Sequence, residues 1–170
     1  MTKLLGFILL LFAALVGSVQ RLQERKRAYE ALGALCVMLE QMRGILETQA
    51  PPMPELLQAL SRCCDGIASR FVETLHASMD QLGTESFHAL WRSALLDIAA
   101  CLDKDIFAAL ESLGNVLGRY GLNIQLESIS ACLHAVRRRQ AEMQQSLPRS
   151  RSLTLGISLS AAALLGIILS

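Results

Sequence analysis

Two Glu-x-x-His pairs have the residue types and spacing for chemistry: Glu73 with His76, and Glu85 with His88. In helical carboxylate enzymes, two such pairs join a Glu from each of two other helices to hold two metal ions. The aim of each pair follows from the helical period of about 100° per residue. Cys64, Ile67, Phe71 and Leu75 mark one apolar face, and Glu73 falls nearly opposite it. Phe87, Leu90, Ala94 and Ile98 mark the next, and Glu85 again falls nearly opposite. Both carboxylates then point to water, and both pairs crowd a single interhelical turn. The pattern reads as solvated glutamates at helix ends with histidines at a boundary. A helical di-metal enzyme built on these pairs is the alternative reading.

Other constellations are thinner. There is no G-x-x-x-x-G-K-[ST] phosphate loop, no G-x-S-x-G nucleophile turn and no C-x-x-C pair. Cys63 and Cys64 are adjacent, and the five cysteines follow no regular spacing. An odd count of this kind reads as free thiols, mostly on apolar faces, in a reducing compartment. His134 beside Cys132 reads as packing or surface, and Trp91, the single tryptophan, as a core anchor. Gly114 and Gly118 fit G-x-x-x-G, which here reads as close packing or a helix end. The expectation is no catalytic residue, no cofactor, no metal and no small-molecule substrate.

The elements that position these residues are helical throughout. Leu22, Tyr29, Leu32, Cys36, Leu39 and Leu46 form a near-heptad stripe, interrupted by Arg25 and Arg43, and no proline intervenes before Pro51. One helix is therefore expected to about Thr48. Pro51, Pro52 and Pro54 break it, and Pro54 can open the next, expected from about Glu55 to Met79. A turn at Asp80–Gly83 leads to a third helix, with Thr84 as its cap. Asp103 is the expected cap of a fourth, which Gly118 and Gly121 end. A last helix runs from about Asn123, with Pro148 expected to end or kink it. No segment alternates strictly enough for a strand. The expected fold is all-α: a helical bundle head of three short helices on a long antiparallel neck made by the first and last helices. Leu32, Leu39, Leu133 and Val136 are the expected seam.

Composition explains what the ends do. The chain has 170 residues, is 52% hydrophobic and only 18% charged, with a mean hydropathy of +0.40. Soluble domains carry about a quarter charged residues. Residues 4–20 and 152–170 contain no charge at all. Leu4 to Val19 would span about 24 Å as a helix, just short of the roughly 30 Å hydrocarbon core. A cleaved secretory signal at Val16-Gly17-Ser18 is the competing reading. The division is thus a transmembrane helix at 1–20, a helical domain at 21–151 and a second transmembrane helix at 152–170. Arg21, Arg25, Lys26 and Arg27 follow the first span; Arg137, Arg138, Arg139, Arg149 and Arg151 precede the second. The positive-inside rule then puts the central domain in the cytoplasm and both termini across the membrane. Residues 31–136 carry 12 acidic against 6 basic residues. The basic flanks suit anionic lipid headgroups, whereas the acidic remainder argues against nucleic acid.

The order and spacing of several segments resemble the stage III sporulation protein AB family of endospore-forming bacteria. Leu39-Glu40 through Ala50-Pro51-Pro52-Met53-Pro54-Glu55-Leu56 is similar to its acidic helix and T-P-L-P-E-A-L-like turn. Trp91 with Ala94-Leu95 matches its W-x-x-A-L-like segment. Leu113-Gly114, Leu117-Gly118 and Gln125 resemble its L-G-x-x-L-G-x-[ST]-D-x-x-x-Q pattern. Leu155-Gly156 through Leu169 resembles its glycine-containing tail. Gly121 replaces the usual Asp and Pro51 the usual Thr, which leaves Asn123 as a substitute cap for the last helix.

The resemblance implies a fold similar to the cytoplasmic domain of the type II secretion inner-membrane F (platform) protein. It also implies a place in a channel or secretion-like complex between mother cell and forespore. The protein would be a double-pass protein of the mother-cell (outer forespore) membrane, with a cytoplasmic secretion-type ATPase and other membrane proteins of the complex as partners. The expected function is a non-enzymatic adaptor. Asp80, Glu85, Asp103 and Asp105 are the candidate contacts, on turns that can project from the head. A generic membrane signalling or lipid-binding bundle is the remaining alternative.

Overall fold

The computed structural model describes the backbone of residues 2–168 and the side chains of residues 23–145. Within those limits the fold is an all-α bundle of six helices. The first, α1, spans Thr2–Thr48. It ends where Ala50 turns left-handed (φ 42°) ahead of Pro51 and Pro52, whose rings carry no N–H to continue a helix. The second, α2, spans Met53–Ser61 with Pro54 in its first turn.

The third, α3, is Gly66–Ala77, so the single helix expected over Glu55–Met79 is in fact two. Leu60, Cys64, Ala68 and Val72 continue one apolar stripe across the break, and all are buried. That continuity conceals the break from a periodicity argument. The Asp65-Gly66 dipeptide carries it instead: Gly66 adopts φ 60°, which glycine reaches without the Cβ penalty.

The remaining helices are α4 (Phe87–Ile98), α5 (Lys104–Val116) and α6 (Leu122–Ile168). The cap of α4 is Ser86, whose hydroxyl accepts the Ala89 N–H at 3.2 Å. Thr84, expected in that role, instead donates to the Gln81 carbonyl at 2.9 Å. At α6, Gly121 takes the place expected for an Asn123 cap, its carbonyl accepting from the Ile124 and Gln125 amides. The helix also runs on through Pro148, so of the end or kink expected there the end does not occur.

The core is continuous from α1 to α6. Trp91 is completely buried, edge-on to Phe71 with ring centroids 4.8 Å apart. Its indole Nε1 donates to the Leu110 carbonyl at 2.8 Å, which satisfies the one polar atom a buried tryptophan brings. The approach is possible because residue 114 has no side chain: a Cβ there would lie 2.5 Å from Cγ and 2.7 Å from Nε1 of Trp91.

Helices α1 and α6 pack side by side. Arg137 donates to Glu40 at 2.6 Å, and the Cys36 thiol approaches Gln140 at 3.8 Å. Residue numbers rise along one helix as they fall along the other, so the pair is antiparallel. The four expected seam residues Leu32, Leu39, Leu133 and Val136 are all buried. Among the described residues this pair forms a wall of the bundle: α1 also packs on α2 and α3, and α6 on α5. The head therefore has four short helices where three were expected. Among the described residues no helix is long and apolar enough to cross a membrane. The two expected spans, 1–20 and 152–170, lie outside the residues whose side chains are described.

Candidate partner-binding surface

Chain direction assigns each turn to an end of the bundle. The side where α1 enters and α6 leaves is the entry end. Arg139 of α6 donates to Asp103 at 2.6 Å, which places the α4–α5 turn toward that end. One helix earlier in the chain, the α3–α4 turn lies at the other end of α4, about 18 Å away for a helix of 12 residues. The four candidate acids thus do not form one surface. Asp80 and Glu85 sit on the α3–α4 turn at the far end, Asp103 and Asp105 at the entry end. All four are exposed.

Asp103 is also committed. It occupies the N-cap position of α5, yet its carboxylate makes no cap bond there. The Arg139 guanidinium draws it instead, and the hydrogen bond to Asp103 holds the guanidinium's pKa above its usual value. The pair ties α5 to α6. Because it is half-exposed, it contributes little to stability on the scale of surface ion pairs.

At the far end the carboxylates are freer. Among the described residues Glu55, Asp80, Glu85 and Glu127 take part in no ion pair. Arg119, on the α5–α6 turn, is the basic residue without an ion pair beside them; elsewhere Arg25, Arg27, Arg62, Arg70 and Lys104 are likewise in no ion pair, as are Glu24, Asp65, Glu73, Asp97 and Asp105. The entry end is better balanced, with Glu40, Asp103 and Glu142 facing Arg137, Arg138 and Arg139.

The Glu-x-x-His pairs stay apart. Glu73 and His76 are exposed on α3, and the Glu73 carboxylate accepts the Ser69 hydroxyl at 2.6 Å. Glu85 precedes α4, whereas His88 is half-buried within it. No group of three His, Cys, Asp or Glu among the described residues is placed to hold a metal.

All five cysteines are free thiols. Cys36, Cys64 and Cys132 are buried, while Cys63 and Cys101 are exposed, a more even division than apolar faces alone suggested. Burial pushes the Cys64 thiol up to about 11, with Cys63 and Asp65 adding to it. Burial, with Cys36 beside it, pushes Cys132 up to about 12. The thiolate is the reactive form. Alkylation of the native chain at pH 8, followed by mass mapping, should therefore modify Cys63 and Cys101 first. Cys64 and Cys132, pushed up to about 11 and about 12, should lag by about a hundredfold or more, and Cys36, whose thiol burial also raises, should follow the exposed pair. Equal rates for Cys63 and Cys132 would contradict the buried seam. Stability should also fall as pH rises above about 9, because unfolding then releases protons that the folded thiols retain.

The profile of the stage III sporulation protein AB family matches residues 3–170. The chain belongs to that family. A solved structure of a stage III sporulation protein AB (SpoIIIAB) superposes with a TM-score of 0.63 at 17% sequence identity, covering 72% of this chain and 97% of the other. At that identity the likeness shows the shared fold. No curated protein sequence matches.

In this member of the AB family the described residues of the Trp91 and Leu113–Gln125 segments, which carry part of the resemblance, are structural. Trp91 and Gly114 pack against each other, and Gly118 turns the chain at φ 71°. Gln125 reaches back to donate to the Tyr120 carbonyl at 2.6 Å. The turn they hold carries residues that were read only as punctuation between helices. Tyr120, Leu122 and Ile124 are exposed there. The bracketing glycines mark the turn, but only the structure shows the apolar side chains facing outward.

Proposed function

We propose that this protein is a non-enzymatic membrane adaptor of a sporulation complex, a platform component between mother cell and forespore. Its helical domain docks a cytoplasmic secretion-type ATPase, a role that rests on the family resemblance. Residues 1–20 and 152–170 anchor it as a double-pass protein of the mother-cell membrane. The basic stretches beside them meet anionic lipid, and other membrane proteins of the complex flank it. Family membership supports the sporulation setting.

The observation that carries the docking role is the segregation of charge. The end remote from α1 entry and α6 exit carries Glu55, Asp80, Glu85 and Glu127, none of them in an ion pair, against the single base Arg119, and a cytoplasmic partner has free approach there. Charge complementarity of this kind mainly accelerates association and selects the partner. Asp80 and Glu85 are the contacts proposed; Asp103 and Asp105 lie at the entry end, with Asp103 already paired.

Two variants of the full chain separate these roles. Asp80→Lys with Glu85→Lys should retain the helical signal and slow association with the ATPase about tenfold at low salt. Asp103→Asn with Asp105→Asn should leave that rate within about twofold, the size expected of a rim charge outside the contact. Unchanged association in the first variant would rule out the acidic far end as the dock. Normal spore formation after deletion of the whole gene would remove the sporulation role itself.

A further inference from the structure

Six large apolar side chains are exposed among the described residues: Val37, Leu82, Leu96, Tyr120, Leu122 and Ile124. Four of these six lie on the two turns at the far end. Leu82 is on the α3–α4 turn, between Asp80 and Glu85. Tyr120, Leu122 and Ile124 follow one another through the α5–α6 turn into the first turn of α6. Val37 and Leu96 stand singly on helix faces, which is ordinary for a soluble surface.

The Tyr120 segment is held in place before any partner arrives. Gln125 donates to the Tyr120 carbonyl at 2.6 Å. The Arg119 and Tyr120 amides both bond the Val116 carbonyl at 3.2 and 3.3 Å. Gly118 turns the chain beside Met53, with a Cβ position 3.8 Å from the Met53 Cγ. A tyrosine half-exposed at 49% on a turn fixed in this way loses little freedom on binding. Rigid aromatic anchors of this kind dominate interface energetics.

We infer that the far end is a single docking surface, in which Tyr120, Leu122, Ile124 and Leu82 form an apolar anchor and Glu55, Asp80, Glu85 and Glu127 form its charged rim. The occupant is a protein with an apolar recess edged by lysine or arginine. Charge complementarity decides this against a lipid surface, because a net-acidic rim is repelled by anionic headgroups. The inference deepens the adaptor reading and rests on it: carboxylates would steer the encounter, while the apolar residues would set how long the complex lasts.

The test measures the kinetics of the ATPase on full-length chain in lipid nanodiscs. Tyr120→Ala with Ile124→Ser should raise the dissociation rate about tenfold or more, the size expected of a central anchor, with association and its salt dependence unchanged. Asp80→Lys with Glu85→Lys should do the converse. Leu82→Ser, on the other turn, is an independent second variant. All of these side chains are exposed, so melting temperatures should stay at the wild-type value.

If the ATPase binds and the apolar variants dissociate as slowly as wild type, the anchor is overturned while the adaptor reading stands. If wild-type chain does not bind the ATPase at all, both fall together. If Tyr120→Ala with Ile124→Ser changes only the sedimentation of the chain, a second copy covers the patch and the inference is wrong.

Discussion

A Trp91→Ala chain should be about 3–5 kcal/mol less stable than wild type, the range for emptying a fully packed aromatic site. Urea unfolding followed by circular dichroism measures it, since the variant lacks the only tryptophan. Three losses combine there. The indole leaves a cavity among Phe71 and Phe87, its edge-to-face contact disappears, and the hydrogen bond to the Leu110 carbonyl is lost. Gly114→Ala approaches the same contact from the other side. Its methyl would overlap the ring, so alone it should cost about 1–3 kcal/mol. In the Trp91→Ala background the methyl has room, and the cost should fall close to zero. Contacting residues couple in this way and distant ones do not. Additive effects would show that Gly114 does not face the ring.

Leu133→Asp is the second large effect, expected to cost about 3–5 kcal/mol by removing apolar burial and placing a carboxyl in the α1–α6 seam. His134→Asp, one residue on and exposed, is the matched control and should stay within about 0.5 kcal/mol of wild type. The pH dependence gives a further signature. The buried carboxyl of the variant would fold protonated, with a pKa above its unfolded value near 3.9. Its penalty should therefore shrink as pH falls toward 4 and reach full size above the folded pKa. Equal melting temperatures for the two variants at pH 7 would mean that Leu133 faces solvent.

The fold class was legible in the sequence because the apolar period of 3.6 is strong in every middle segment. Phe71, Leu90, Leu110, Ile129 and their neighbours fall on the inward face that period predicts. Three features were not. A heptad stripe through Leu32, Leu39 and Leu46 understates α1, which also buries Leu35, Met38 and Met42 because it packs on two sides at once. Periodicity reports one face; a wall helix has nearly two. The second is the position of the acidic turns. Asp80–Glu85 and Asp103–Asp105 look alike as local sequence, each a cluster of acids between helices. Their separation follows from parity: turns flanking a single helix must lie at its opposite ends. Tyr120, Leu122 and Ile124 escaped notice for a different reason. Tyr120 follows a helix-ending glycine and has no period to betray which way it points, while Leu122 and Ile124 open α6 ahead of its buried stripe.

The pairing of α1 with α6 joins residues about a hundred positions apart, such as Cys36 and Gln140. On the ribosome, the inward face of α1 emerges long before its partner exists. At about 5–20 residues per second, roughly 5–20 s pass between the two. Through that interval the inward face of α1 has α2, α3 and the Ala99–Cys101 turn to cover it, and not yet α6. The short helices must therefore serve as a provisional core during synthesis. Substitutions that weaken α2 or α3 should then lower the yield of folded chain more than the equilibrium stability of the finished protein.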